Sequence, residues 1–222
     1  MCRVRHTQKC MSSYFAWFGL NGSLVLTLLM SLLAIVLAAI RLAGDKTRKY
    51  AYFCAAAMLM SSLGDIFLMH LDFIEQNLPN YFIWGAACFM VAHVLYTLAF
   101  LKLGRSKGYR YFNGGVIAAI VIALACLVYF TVICAQRQDF SMYALCMIYL
   151  AVIGTNCATI FSYAWSSFQK KPYLVMCAVG ALSFFISDLI IGLDILAGIS
   201  DFGHLIWWYY PIGQILLHVF AF

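Results

Sequence analysis

Charge is what this sequence has least of. Asp, Glu, Lys and Arg make up 10% of its 222 residues, while apolar residues make up 65%. A soluble domain carries about a quarter charged residues and at most about half apolar ones, so a water-facing globule is excluded. No polar stretch is long enough to build a soluble domain beside the apolar part. Proline is nearly missing: Pro79, Pro172 and Pro211 are the full set, which gives little support to a transporter built on Pro-broken helices. Internal repeats are absent as well, and with them the sequence sign of an inverted-repeat carrier. The apolar residues come in continuous runs rather than short alternating ones, which excludes an outer-membrane barrel. Nine cysteines are present, but none forms a C-x-x-C pair and seven lie in or at the edge of apolar runs. Cysteine in that setting behaves as a small hydrophobe, not as a disulfide or zinc framework. No H-x-x-x-H occurs, and no basic stripe with interleaved aromatics suggests nucleic acid.

What is present is a series of apolar runs, each near the 20 or so residues a helix needs to span hydrocarbon. In lipid the backbone must satisfy its own hydrogen bonds, so such runs are helices. The fold class expected is all-α, a polytopic transmembrane helical bundle of about seven spans. They are placed at 15–40, 50–71, 81–101, 111–134, 141–163, 173–196 and 204–222. Residues 1–14 form a polar, basic tail, and 15–222 a single transmembrane domain. The run from Tyr14 to Ile40 is too long for a signal-peptide core and is read as a retained first helix. Ten Lys and Arg residues fall in the loops 41–49, 102–110 and 164–172, against four on the other side: Arg3, Arg5, Lys9 and Arg137. The positive-inside rule then places the C-terminus in the cytoplasm, although the basic tail opposes this orientation.

Inside such a bundle, ionisable side chains are informative because holding one there costs several kcal/mol unless it is paired or hydrated. Of the eight acidic residues, Asp45, Asp72, Glu75, Asp139 and Asp201 fall in loops and Asp194 lies near a helix end. Only Asp65 and Asp188 are deep. Each stands 15 residues from the cytoplasmic start of its span, about 22 Å at helical rise. Two carboxyls at one level can share a cavity in which one keeps its proton and the other is ionised, an acid and a base from one residue type. Ser61 lies one turn from Asp65. Gly180, Phe184, Asp188 and Gly192 step by four along one face, with Ser183 and Ser187 beside them. Gly85, Phe89, His93 and then Tyr96 form a similar series, as do Tyr210, Gln214 and His218, while Asn156 and Thr159 are three apart. Ser61, Ser183, Thr159 and Tyr210 also suit plain structural bonding, and Asn156 and Gln214 suit bonding between helices. His70, His204 and His218 are expected at the membrane interfaces.

The same residues carry a family resemblance. Ser61-Ser-Leu-Gly-Asp65-Ile-Phe-Leu68, then Tyr81, Gly85, Phe89, His93, Tyr96, Ala99 and Phe100, then Gly180-Ala-Leu-x-Phe-x-Ile-Ser187-Asp188-Leu, and finally Tyr209-Tyr-x-x-x-Gln214, resemble the core signature of the YhhN family in order and spacing. The resemblance covers roughly residues 50 to 220. It implies a lysoplasmalogenase, which hydrolyses the vinyl ether bond of a lysoplasmalogen to a fatty aldehyde and glycerophosphoethanolamine or glycerophosphocholine. The substrate implied is a lysophospholipid within the bilayer, and no cofactor or metal is called for. Family members are usually drawn with eight helices; seven are legible here, so the N-terminal side departs from the pattern.

Vinyl ether hydrolysis needs a positioned acid, a carboxylate to steady the oxocarbenium ion and an activated water. Asp65 and Asp188 are expected to fill the catalytic roles, with Ser61, His93, Tyr96, Asn156, Ser187, Tyr210 and Gln214 binding or orienting substrate and water. Three other readings are open to the sequence. A proton-coupled transporter would also use paired membrane carboxylates. A zinc-dependent membrane lipid hydrolase would want three ligands with His prominent. Leu63-Gly64-Asp65 resembles part of the Gly-x-Gly-Asp motif of intramembrane aspartyl proteases, but Ser62 replaces its first glycine and no Pro-Ala-Leu motif follows.

Overall fold

The structure is a computed structural model that describes residues 48–68, 72–134, 140–167, 173–199 and 201–219, with isolated positions Leu29, Leu32 and Val36. The expected first span, the basic tail, His70, Arg137 and most of the basic loops at 41–49 and 164–172 lie outside the described residues. Among the described residues seven helices follow one another from residue 48: α1 Arg48–Leu68, α2 Asp72–Asn77, α3 Tyr81–Lys107, α4 Gly114–Cys134, α5 Phe140–Ser167, α6 Tyr173–Ala197 and α7 Gly203–Val219. The fold is a helical bundle, with no strand among the described residues. Among the described residues four segments are long and apolar enough to cross a membrane: Tyr50–Leu68, Tyr81–Lys107, Phe140–Ser166 and Leu174–Ile195.

The exposed surface is apolar, as a lipid-facing surface must be. On α4, Ile117, Val121, Leu124, Val128 and Val132 form a stripe in which every member is more than half exposed. The opposite side of the same helix buries Gly115, Val116 and Ala119. A helix that is apolar on both faces has lipid outside and protein inside.

Helix ends follow local chemistry rather than hydropathy. α3 was expected to end near residue 101, where Lys102 closes the apolar run, yet it continues to Lys107. It ends at Gly108, whose φ of 70° is left-handed; Tyr109 N–H donates to the Gly104 carbonyl and Gly108 N–H to that of Arg105. This is a Schellman stop, which a glycine adopts at least cost. The loop that carries Asp72 and Glu75 contains the short helix α2. α7 runs without interruption through Pro211, whose ring removes one backbone donor from the helix.

The chain divides into two compact units, Met1–Leu95 and Tyr96–Phe222, with the division inside α3. In the first unit, α1 and α3 approach so closely that a Cβ on Gly64 would lie 2.7 Å from the Phe89 ring and 3.2 Å from the Gly85 carbonyl oxygen. In the second unit, α4 through α7 pack sequentially and antiparallel, with α6 and α7 the most extensive pair. The α6–α7 crossing lies at Gly180 and Gly213: a Cβ on either would come within 3.0 Å of the other's carbonyl oxygen. Phe184 and Tyr210 then meet edge to face, with centroids 5.3 Å apart.

Candidate functional site

Asp188 stands in the middle of α6, about four turns from its start, and is half-buried. The Tyr149 hydroxyl, in the middle of α5, donates to Asp188 Oδ2 at 2.7 Å. A phenol has one proton to give. It fixes the position of Oδ2. Tyr149 was not among the residues expected from sequence. Beside Asp188, Ser187 is fully buried, and its Oγ has no hydrogen-bond partner among the described residues. Such an atom costs about 1–3 kcal/mol unless water or ligand satisfies it.

One turn beyond the Gly180–Gly213 crossing is a second polar group. Tyr96, Gln214 and His218 are all buried, at 0%, 0% and 6% exposure. The Tyr96 hydroxyl meets Gln214 Oε1 at 2.7 Å and His218 Nε2 at 3.2 Å, and His218 Nδ1 lies 2.7 Å from the Gln214 backbone carbonyl. The Tyr96 and His218 rings are edge to face at 5.5 Å. His218, in the last turn of α7, is thus buried within the bundle. Tyr96, which comes from a distant part of the chain, draws it inside. His204 is exposed, in keeping with an interfacial place.

In the first unit, Asp65 is half-buried on α1, about five turns from its start, and Ser61 and His93 are buried. Ser61 Oγ also has no hydrogen-bond partner among the described residues. Asp65 directly follows Gly64, so the close α1–α3 approach fixes the backbone beside it. Asn156 is buried on α5. Thr159, three residues on, is occupied structurally: its hydroxyl donates to the Thr155 carbonyl at 2.8 Å and meets the Tyr111 hydroxyl at 3.2 Å. Tyr210 is half-buried and supplies the edge-to-face contact with Phe184. Among the described residues no three His, Cys, Asp or Glu side chains gather in the manner of a metal site. A crevice between α4, α5 and α6 is lined by Ala119, Ala123, Gly154, Cys157, Leu182 and Phe185, so it offers apolar contact and no acid–base chemistry.

A family model for the YhhN family matches residues 23–220. The chain belongs to the YhhN family. A relative described as a lysoplasmalogenase homolog, from Dictyostelium discoideum, is 28% identical over 167 residues, covering 64% of this chain and 50% of that protein. The chain thus spans about half the length of the curated relative it matches. No solved structure matches it. This YhhN family protein is a membrane protein by its helices as well as by its family.

Proposed function

We propose that this YhhN family protein is an intramembrane hydrolase that cleaves the vinyl ether bond of lysoplasmalogens. The observation that carries the reading is Asp188 held by Tyr149 at 2.7 Å in the middle of membrane-spanning helices, beside a buried serine hydroxyl with no partner among the described residues. A carboxyl in that setting is costly and calls for a use. The family and the name of the Dictyostelium relative point to the same bond.

The reaction takes its two carboxyls from Asp188 and Asp65. A carboxylic acid protonates the vinyl β-carbon, and the electron pair of the double bond forms the new C–H bond. The resulting oxocarbenium ion is steadied by a carboxylate. Water adds to the cationic carbon while its proton passes to a carboxylate. The hemiacetal then collapses: its hydroxyl proton passes to the carboxylate, the C=O bond forms as the bond from that carbon to the glycerol oxygen breaks, the protonated carboxyl gives its proton to that oxygen, and the aldehyde leaves. One water is consumed, and each carboxyl returns to its starting state. Ser187, Asn156, Tyr210, Ser61 and His93 orient water and the glycerol oxygens.

The test is aldehyde release by purified protein from lysoplasmalogen, with the matching ester lysophospholipid alongside and fatty acid also measured. Aldehyde from the vinyl ether and no fatty acid from the ester is expected. Asp188→Asn and Asp65→Asn should each lower kcat by about 10²–10⁴-fold, the range for loss of general acid–base catalysis. Wild-type aldehyde release in either variant would refute the assignment, and fatty acid alone would mark an ordinary lysophospholipase.

A further inference from the structure

The Tyr96–Gln214–His218 group has a direction, set by counting protons. His218 Nδ1 faces the Gln214 backbone carbonyl at 2.7 Å. A carbonyl only accepts, so the ring proton sits on Nδ1. In a neutral imidazole Nε2 is then an acceptor, and it takes the Tyr96 hydroxyl proton across 3.2 Å. The hydroxyl has no second proton. The Gln214 amide, 2.7 Å from the Tyr96 oxygen, must therefore be the donor in that contact. Amide oxygen and nitrogen have the same shape, and the hydrogen count decides which end faces Tyr96. The NH₂ group faces it. The amide oxygen is then left at the opposite end of the group, where a fully buried terminal atom of Gln214 meets no partner among the described residues.

The geometry points to a hydroxyl-reading site whose working atom is the Gln214 amide oxygen and whose polarity is set by His218 through Tyr96. An acceptor that is buried and open selects a ligand that donates. Asp188 lies two turns from Gly180 on α6, while Gln214 follows Gly213 at the α6–α7 crossing, an axial offset of about 10–12 Å. The two helices are antiparallel and side chains lean toward the N-terminus of their own helix, so Asp188 and Gln214 lean toward each other. A glyceryl ether fits that interval. The donor assigned is the glycerol hydroxyl next to the ether linkage, the group that distinguishes a lysolipid from one substituted at that oxygen. His218 and Tyr96 act here as positioning residues, and the inference rests on the proposed lysolipid substrate.

The experiment compares binding of two hydrolysis-resistant alkyl-ether glycerophosphocholines, one with its second glycerol hydroxyl free and one with that hydroxyl O-methylated. Both are measured on the same detergent-solubilised full-length sample, so the ratio of their dissociation constants does not depend on the folded fraction. Wild-type protein should prefer the free hydroxyl by about tenfold or more. In Gln214→Met and in His218→Leu the ratio should collapse toward one. Equal binding of the two lipids by wild type would overturn the inference, because either water or a donor-presenting amide, as with a charged His218, treats an ether oxygen and a hydroxyl alike. A preference unchanged in both variants, or no binding of either lipid, would overturn it as well. A preference that collapses in the variants, in a protein releasing no aldehyde from lysoplasmalogen, would uphold the hydroxyl site and sink the proposed hydrolysis.

Discussion

At the scale of single residues, Asp188 and Tyr149 separate what sequence can reveal from what it cannot. A carboxyl deep in an apolar run stands out because the bilayer makes it expensive. A tyrosine in the same run does not, since it packs as readily as it bonds, and this chain has 14 of them. Tyr149 acquires its role only when α5 and α6 are laid side by side. His218 shows the same limit: its position near a run's end does not reveal that it is buried against Tyr96, 122 residues away in the chain. Tyr149→Phe keeps the ring and removes the hydrogen bond to Asp188. A hydrogen bond to a charged group contributes about 1.5–3 kcal/mol, so kcat for aldehyde release should fall about 10–100-fold. KM should move little, because the phenol contacts the carboxyl and not the lipid. An unchanged kcat would make Tyr149 a packing residue.

At the scale of helices, hydropathy located the long described helices well and their ends less well. It registers where the bilayer stops, whereas a helix stops where its backbone bonds are satisfied otherwise. Gly108 stops α3 after Lys107, six residues past the end expected at 101. Asn113 begins α4, with Oδ1 accepting from Gly115 N–H at 2.9 Å while its amide donates to the Ser162 carbonyl at 2.7 Å and to Ser166 Oγ at 2.8 Å. One side chain thus caps α4 and ties it to the end of α5. Asn113→Ala should destabilise the protein by about 1–2 kcal/mol, the usual range for a lost cap, read as a lower midpoint of unfolding in detergent. The glycine steps flanking Asp188 were legible in sequence, but the partner of Gly180 was not. Gly213→Val should be more harmful than the cap loss. Its Cβ would meet Phe184 N at 2.9 Å and Gly180 O at 3.0 Å, backbone atoms that cannot yield without parting α6 from α7. A Gly213→Val protein with the wild-type midpoint would show that the crossing tolerates separation.

At the scale of the second unit, charge is sorted along the bundle axis. Asn113 meets Ser162 and Ser166 at one end, and Thr131 meets Tyr143 at the other, 3.1 Å apart, which fixes the α4–α5 pair as antiparallel. Lys102, Arg105, Lys107 and Arg110 all lie at the end where α3 stops and α4 begins, and no acidic residue lies there among those described. Asp194 and Asp201 lie at the far end, where α6 stops and α7 begins. The alternation of spans already assigned the basic loop 102–110 to one side in the sequence, and the antiparallel pairing of the helices agrees with that sorting. In a membrane, a basic pole faces the anionic cytoplasmic leaflet. A cysteine placed at Gly108, in the basic loop, should therefore react with a membrane-impermeant maleimide only after cells are opened. One placed at Asp201 should react in intact cells. Both positions are exposed, so failure to label reports the side of the membrane rather than burial. The reverse pattern would turn the bundle over and place the basic pole outside. It would leave the Asp188 site intact, because α5 and α6 hold that carboxyl by contacts within the bundle, whichever way the bundle crosses the bilayer.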